Sequence, residues 1–431
     1  MLHYLKSLVP ESWFLPYHRA LSRLAAVWYG HPSEELIVIG VTGTNGKTTT
    51  AYLIAKALEA SGYKIGCTTT AIFKIGEREW LNDTKMTMLG RFQLQKMLRQ
   101  MVNAGCHYAV VETSSQGIVQ HRHRDLNYDV AVFTNLTPEH IEAHGSFENY
   151  KQAKIDLFRH TAACKRKIID GQIIRKVAVL NSSDSHAKDF RVPGFDEIVD
   201  YGKVSDVELG PLKTSFILNR VPFEINLPGR VNIENAQAAI QVARIFDLNM
   251  DEVSNKIASI KSMPGRFERI DEGQSWAVIV DYAPEPKSLE ILYQTLADMP
   301  RARVIHVLGS CGGGRDVARR PVLGRMVAER ANIVIVTNED PYDDNPREIM
   351  EQVAEGARQA GKKDGESLFI IEDRREAVFR AMEFAKPGDL VLLTGKGCEQ
   401  AICVAGGNKI PWDERKVARE AIKATNALNS K

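Results

Sequence analysis

The chain has almost no charge imbalance. Across 431 residues, 56 Lys and Arg stand against 54 Asp and Glu, a formal net charge of +2. A dedicated nucleic-acid binder would carry a strong basic excess, so this balance argues against that class. Cysteine is scarce: Cys67, Cys106, Cys164, Cys311, Cys398 and Cys403 are scattered without a C-x-x-C pair. That usage fits reduced thiols in a reducing compartment better than disulfides or a zinc site. No apolar run reaches the ~18 residues that cross a bilayer. The opening Met1-Leu2-His3-Tyr4-Leu5-Lys6 has neither the basic start nor the apolar core of a secretory leader, so a cytoplasmic protein without membrane insertion is expected. Internal repeats and low-complexity tracts are also missing.

The most informative stretch present is Ile37-Val38-Ile39-Gly40-Val41-Thr42-Gly43-Thr44-Asn45-Gly46-Lys47-Thr48-Thr49-Thr50, in which an apolar strand runs into a glycine loop and then a helix. Gly43 and Gly46 let backbone N–H groups approach a polyphosphate, with Thr44, Asn45 and Thr49 completing the loop. Lys47 neutralises β/γ oxygens, Thr48 suits Mg²⁺, and the helix start points its positive dipole end at the anion. Val41 takes the first glycine position of the strict G-x4-G-K-[ST] pattern, so the context carries the assignment: Ala51, Leu53, Ile54, Ala55, Ala57 and Leu58 give a helix that Gly62 ends. The chain is expected to bind ATP or GTP.

At 44% hydrophobic and 26% charged, the chain is long enough for two or three globular domains with substantial cores. Apolar strand-like runs alternate with amphipathic stretches, an α/β pattern. Leu36–Val41, Tyr108–Glu112, Asp129–Thr134 and Val177–Leu180 form one parallel-sheet series. After Met263-Pro264-Gly265 a second series follows: Ala277–Asp281, Arg303–Leu308, Asn332–Thr337, Leu368–Ile371 and Leu390–Thr394. The reading is a short helical segment over 1–35 (apolar positions Leu15, Ala20, Leu21, Leu24, Ala25, Trp28), a nucleotide-binding domain over 36–264 and a second α/β domain over 265–431.

Ligands in doubly wound sheets sit beyond the carboxyl ends of the strands. Glu112 ends an apolar strand, where a phosphate-loop protein needs a carboxylate for its metal. His140 and His144 stand four apart, but His140-Ile141-Glu142-Ala143-His144 displaces the Glu of H-E-x-x-H, which disfavours a zinc hydrolase. His144 reads as structural.

Together the motifs resemble the Mur ligase family, and within it the muramoyl-tripeptide synthetase type. The resemblance rests on Gly43-Thr44-Asn45-Gly46-Lys47-Thr48-Thr49, Glu112-Thr113-Ser114-Ser115, Gln120-His121-Arg122, Phe133-Thr134-Asn135-Leu136, His140 and Tyr150-Lys151-Gln152-Ala153-Lys154. It continues in order through Leu227–Asn235, Pro264-Gly265-Arg266-Phe267-Glu268, Val280-Asp281-Tyr282-Ala283, Gly312–Asp316, Arg320-Pro321 and Gly395-Lys396-Gly397. It implies a central phosphate-loop ATPase domain with a parallel sheet, then a Rossmann-like C-terminal domain. It also implies an ATP-dependent amide-forming ligase that converts a carboxylate to an acyl phosphate and couples it to a free amino acid. The acceptor would be a small-molecule or nucleotide-sugar peptide, and the amine a diamino acid. No obligate protein partner is evident.

The resemblance also assigns roles. Lys47, Glu112, His140 and Lys154 would be catalytic, with two Mg²⁺ held by Thr48, Glu112, His140 and a carbamylated Lys154. Asn232, Arg266 and Asp281 would contact the nucleotide. Thr87, Ser114, Gln120 and Arg122 would contact the acceptor, and Arg315, Tyr342, Gly395 and Glu399 the amino acid, with Arg315 gripping its carboxylate and Glu399 its ammonium.

Departures concentrate on substrates. Most of the family's uridine-binding domain is expected to lie outside this chain, since the phosphate loop begins near residue 42. Gln116, Pro284, Gly314 and Cys398 replace the family's usual residues, and Glu339-Asp340-Pro341-Tyr342 stands where Asp-Asn-Pro-Arg reads diaminopimelate. Tyr342 lacks the bidentate fork of Arg, whereas Glu339, Asp340, Asp343 and Asp344 suit a distal amine or are merely solvated. The alternatives are a folylpolyglutamate or cyanophycin type ligase, a phosphate-loop NTPase driving motion or signalling, and a non-catalytic partner subunit.

Overall fold

The computed structural model describes residues 11–138, 144–297, 299–314 and 317–429. Two parallel-rich sheets follow one another along the chain. In the first, β1 (Ile37–Thr42), β2 (Lys64–Thr68), β3 (Ile72–Ile75), β4 (Arg78–Leu81), β5 (Cys106–Glu112), β6 (Val130–Phe133), β7 (Val177–Asn181) and β8 (Glu197–Tyr201) lie in the order β8-β7-β6-β1-β5-β2-β3-β4. All neighbours are parallel except β2–β3 and β3–β4, which form an antiparallel edge that strand spacing in the sequence did not anticipate.

All six residues of β1 are buried, which is why it reads as an unbroken apolar run. Its period of two divides the core. Ile37, Ile39 and Val41 pack with Leu53, Ile54 and Val242 on one face, and Leu36 and Val38 with Leu94, Leu98 and Phe158 on the other. The first face belongs to α2 (Lys47–Leu58), the second to α3 (Arg91–Asn103) and α5 (Phe147–Ala163). A short helix, α4 (Ser115–Val119), separates β5 from β6.

The N-terminal helix α1 (Glu11–Trp28) corrects the expected apolar face. Leu24 is 53% and Trp28 73% exposed, and Ala20 faces solvent, while Ser22, Ala25 and Ala26 are buried. The side chain of Leu15 lies outside the described residues. The contact surface is made of small residues and hydrogen bonds rather than large apolar groups: Ser22 donates to the Arg124 carbonyl (2.7 Å) and Arg99 of α3 to the Tyr29 carbonyl (2.8 Å).

A three-stranded antiparallel meander, β9 (Ser205–Leu209), β10 (Thr214–Leu218) and β11 (Val221–Ile225), leads to α6 (Arg230–Ile245) and α7 (Met250–Ala258). The second sheet has the order β12-β13-β17-β14-β15-β16, from β12 (Glu268–Ile270), β13 (Ala277–Val280), β14 (Val304–Leu308), β15 (Ile333–Thr337), β16 (Leu368–Ile371) and β17 (Leu390–Leu393). Only β12–β13 is antiparallel. Helices α8 (Pro286–Thr295), α9 (Arg319–Ala328), α10 (Pro346–Gln359), α11 (Arg374–Phe384) and α12 (Glu414–Asn429) cover it. A hairpin, β18 (Ala401–Val404) and β19 (Asn408–Pro411), reaches back toward the first unit, where Lys409 donates to the Thr84 carbonyl (3.3 Å).

Candidate active site

The loop between β1 and α2 is held from below by the loop after β6. Thr44 N–H donates to the Asn135 carbonyl and Asn45 N–H to Asn135 Oδ1, each at 2.8 Å, while the Thr134 hydroxyl donates to the Asn45 carbonyl (2.7 Å). Two glycines are obligatory here. Gly43 (φ 150°) has no room for a Cβ beside the Thr134 hydroxyl, and Gly46 (φ 79°), which caps α2, has none beside Asn235 Oδ1. Asn235 in turn accepts from Thr50 Oγ1 (3.0 Å) and donates to Asn232 Oδ1 (3.0 Å), tying α6 to the phosphate loop.

Thr48 and Glu112 meet as the sequence requires. Thr48 Oγ1 lies 3.0 Å from both carboxylate oxygens of Glu112, a buried residue at the end of β5. Thr70, which follows β2, donates to Glu112 Oε2 through its N–H (2.7 Å) and hydroxyl (3.0 Å), and its hydroxyl oxygen lies 3.0 Å from the Thr87 hydroxyl. An oxygen-only set of hydroxyl and carboxylate donors suits Mg²⁺. Lys47 Nζ donates to the Thr44 carbonyl (2.7 Å). Lys154 is 1% exposed; its Nζ donates to the Gly43 carbonyl (2.5 Å) and sits 4.3 Å from the Tyr150 ring centre. It therefore braces the back of the loop and is not among the residues lining the cleft. His140 and Arg315 lie outside the described residues. His144 Nε2 stands 3.1 Å from Ser115 Oγ, a structural contact.

Two adjoining cavities open on this loop between the two sheets. One, of about 110 Å³, is lined by Asn45, Gly46, Thr49, Asn232, Arg266 and Asp281 together with Leu227, Ile291 and Leu292. The three positions expected to touch a nucleotide thus share one apolar-walled pocket with the phosphate loop. Asp281 accepts from Phe267 N–H (2.6 Å) and Ala283 N–H (2.9 Å); burial, its largest influence, raises its carboxyl against the opposing pull of Arg266. Arg266 stacks on Tyr282 with 4.6 Å to the ring centre and donates to Thr48 Oγ1 (3.3 Å).

The second cavity, of about 240 Å³, runs from Lys47, Thr48 and Glu112 past Thr70 and Thr87 to Lys85, Asp340, Tyr342 and Glu399. At that far end Lys85 Nζ lies 2.6 Å from Asp340 Oδ2 and 3.1 Å from Glu399 Oε2, and Lys396 Nζ 2.9 Å from Asp340 Oδ1 and 2.7 Å from Glu399 Oε2. Burial alone would raise the Asp340 carboxyl, but Lys396 and Lys85 outweigh it and hold it below its ordinary value. Glu399, expected to meet the ammonium of an incoming amino acid, is engaged by two lysines in the folded chain.

The other acids of that segment hold partners too. Glu339 accepts from the Cys311 thiol (2.9 Å), Asp343 from Gly406 N–H (2.8 Å) and Asp344 from Gly313 N–H (3.1 Å). Gly395 (φ 101°) has no room for a side chain beside Glu339. Tyr342 adopts φ 54° against Gly313; burial first, then Asp340, pushes its phenol up to about 12, so it stays neutral.

Ser114, Gln120 and Arg122 line neither cavity. Ser114 caps α4 by accepting from Gly117 N–H (3.1 Å). Arg122 is clamped by Gln120 Oε1 (2.6 Å) and the Met88 carbonyl, and Arg91 donates to the Gln120 carbonyl. Sequence reasoning missed Thr70, Lys85, Glu285 and Arg319, all cleft-lining, with Arg319 paired to Glu285. No local pattern marks Lys85; only its left-handed backbone (φ 57°) sets it apart.

Residues 41–243 match the Mur ligase middle domain and residues 265–397 the Mur ligase glutamate ligase domain. The chain is 37% identical over 418 residues to the UDP-N-acetylmuramyl-tripeptide synthetase of Roseiflexus sp. (strain RS-1), covering 94% of this chain and 82% of that protein. It is 36% identical to the UDP-N-acetylmuramoyl-L-alanyl-D-glutamate–2,6-diaminopimelate ligase of Halalkalibacterium halodurans, with coverage of 94% and 82%. A solved ligase of the latter name superposes with a TM-score of 0.59 at 29% identity, over 91% of this chain and 79% of that one. A folylpolyglutamate synthase of Mycobacterium tuberculosis superposes at 0.67 with 18% identity, over 87% and 92%, a likeness of fold alone.

Proposed function

The chain belongs to the Mur ligase family of ATP-dependent acid–amino-acid ligases, and from that premise we propose that it adds a diamino acid, lysine or diaminopimelate, to a UDP-MurNAc-L-Ala-D-Glu-like acceptor. The carrying observation is the single cleft that joins Lys47, Thr48 and Glu112 at one end to the Lys85–Asp340–Lys396–Glu399 cluster at the other. Domain limits at residues 35 and 264, and a cytoplasmic site of action, complete the reading; no helix among the described residues is long and apolar enough to cross a membrane.

In this mechanism an acceptor carboxylate oxygen attacks the γ-phosphorus of ATP, ADP leaves, the amine nitrogen attacks the resulting acyl phosphate, and inorganic phosphate departs as the amide forms. Phosphoryl transfer depends on positioning and charge neutralisation. Lys47 meets the β/γ oxygens, and the apolar pocket around Asn232, Arg266 and Asp281 seats the nucleoside. Bound Mg²⁺ supplies Lewis-acid polarisation of the phosphoryl oxygens, and Thr48 and Glu112 are the residues that hold it. A second ion and a carbamate on Lys154 belong to the same proposal, since an unmodified ammonium would repel a cation there. Arg122 and Arg91 have no carboxylate within ion-pair distance among the described residues, which suits them to an acidic acceptor peptide.

Phosphate release from ATP, measured with UDP-muramoyl peptides and other acids, each with and without candidate amino acids, tests the reading. Release is expected only when acceptor and amine are both present; equal release with neither overturns it.

A further inference from the structure

An amphipathic helix of a globular unit normally turns its apolar stripe to the core, and α1 does the reverse. Its buried side is Ser22, Ala25 and Ala26. Tyr17 and Val27 are each 57% exposed and stand with the exposed Ala20, Leu24 and Trp28 on the other side. At about 3.6 residues per turn these positions fall within an arc of about 100°, centred about 160° from the buried one. The stripe therefore points straight away from the protein over about three turns. None of its residues lines either cavity of the cleft. A continuous exposed apolar surface of this kind marks an interaction site.

The charges beside the stripe have one sign. Arg19 and Arg23 occupy the strip of helix surface between the buried and the apolar faces, and both are exposed. No acid occurs from Ser12 to His31, so two cations four residues apart repel one another along the helix. Arg124 and Lys165 line the same adjoining cavity as these arginines. Glu34 and Asp125 line it too, but the Glu34 carboxylate already accepts from Asn127 Nδ2 (2.9 Å). After Lys165 the chain makes a short hairpin that pairs Ile168 with Ile173 across its strands, and both residues are exposed. Apolar and basic surface thus lie together at this edge of the first unit.

We propose that α1 lays the chain on the surface of an anionic lipid bilayer, with the apolar stripe at the boundary of headgroups and acyl chains and Arg19 and Arg23 against lipid phosphates. A helix that lies in that boundary without crossing it combines a Trp- and Leu-bearing face with a basic border. Tyr17 and Trp28 mark the two ends of the stripe, and their rings, apolar in body and polar at the tip, suit the headgroup level. The long arginine side chains reach up from the border to the phosphates while their stems stay on the apolar side. A second copy of the chain fits less well. Pairing two stripes would leave Arg19 and Arg23 of each helix without an acid to meet, since from Ser12 onward the helix carries none. The proposal rests on the surface of α1 and not on the reaction proposed for the cleft.

The test is co-sedimentation of the full chain with vesicles of phosphatidylcholine alone and of equal parts phosphatidylcholine and phosphatidylglycerol. Saturable binding is expected to the anionic vesicles, weakened by added salt, and little to the neutral ones. Arg19→Gln and Arg23→Gln should each weaken it about fivefold. Leu24→Ser combined with Trp28→Ser should weaken it about tenfold or more. Because these side chains are exposed, melting and ATP binding of the variants should match the native chain. Absence of native binding to the anionic vesicles, or undiminished binding by the Leu24→Ser, Trp28→Ser variant, overturns the proposal. Equal binding to both vesicles, unaffected by the arginine changes, overturns the anionic assignment. A native chain that binds no vesicle, is dimeric by light scattering and becomes monomeric with Leu24→Ser and Trp28→Ser shows the stripe to be an interface between copies instead.

Discussion

The four-charge cluster at the far end of the cleft gives a double-mutant cycle whose sign can be worked out in advance. Lys85 is 6% exposed in its side chain, Asp340 4%, Lys396 0% and Glu399 12%. With two lysines and two carboxylates the cluster is neutral. Lys85→Met leaves a buried net charge of −1 and Asp340→Asn one of +1, whereas the double variant restores neutrality through the remaining Lys396–Glu399 pair. Removing one partner of a buried ion pair costs about 3–5 kcal/mol. Because Lys396 still serves both carboxylates, each single variant is expected near the lower bound, about 3 kcal/mol. The double variant should lose about 2 kcal/mol less than the sum.

Urea unfolding of the four proteins, followed by circular dichroism, measures this coupling. The pH dependence checks the same charges. The folded Asp340 carboxyl is held below its unfolded value, so its contribution is complete above about pH 4 and fades as pH falls through the folded value. In Lys85→Met the carboxyl loses one of its two lysines and its folded value rises toward the unfolded one, so acidification should cost that variant less stability than it costs the native chain. Additive losses, or a Lys85→Met variant within about 0.5 kcal/mol of native, would refute the reasoning.

Three further outcomes follow from the phosphate end of the cleft. Lys154→Ala should abolish acceptor-dependent phosphate release, with partial recovery on adding short carboxylates; native turnover in that variant removes the carbamate from the proposal. Gly43→Ala, with no space beside the Thr134 hydroxyl, should displace the loop, lower stability by about 1–3 kcal/mol and weaken ATP binding, as read by melting and nucleotide titration. Glu112→Gln keeps the side chain's shape but removes its charge, and should raise the Mg²⁺ concentration for half-maximal turnover on the order of 10–100-fold; an unchanged Mg²⁺ requirement would exclude Glu112 as a ligand.

The parts of the site legible in the sequence are those whose chemistry is local or is announced by a strand end. The buried run of β1, the positive φ of Gly43 and Gly46, and Lys47 and Thr48 on the first turn of α2 all lie within a dozen residues. Glu112 was legible because a carboxylate closing a fully apolar strand is costly unless it has partners. Asn232, Arg266 and Asp281 came from resemblance alone, and the fold brings them into one pocket. The face of α1 was misread because amphipathic spacing assumes a large apolar partner, whereas Ala25, Ala26 and Ser22 make a close small-residue contact with polar ties. The antiparallel edge β3–β4 and the meander β9–β11 were missed because their strands are only four or five residues long, leaving little periodicity to read.

Lys85 marks the boundary of what local reading reaches. Its partner Asp340 lies 255 residues away, so no window of sequence contains both halves of the interaction. The same holds for the choice of amino acid. Tyr342 and the acids beside it suggested an amine-reading surface when taken as a short motif, but in the folded chain Lys85 and Lys396 occupy Asp340 and Glu399, and Cys311 occupies Glu339. An incoming distal ammonium would therefore have to displace Lys85 from between two carboxylates, exchanging one cation for another at no change in net charge. A distal carboxylate would instead leave Lys85 in place and add a negative charge beside Asp340 and Glu399. On electrostatic grounds the cleft as built favours the ammonium exchange. The Lys85→Met variant, which leaves the two acids short of one cation, should consequently lower the KM for lysine while leaving diaminopimelate, with its extra carboxylate, no better bound. Kinetics with the two amino acids at fixed acceptor would show it, and a fall in KM for diaminopimelate alone would reverse the assignment.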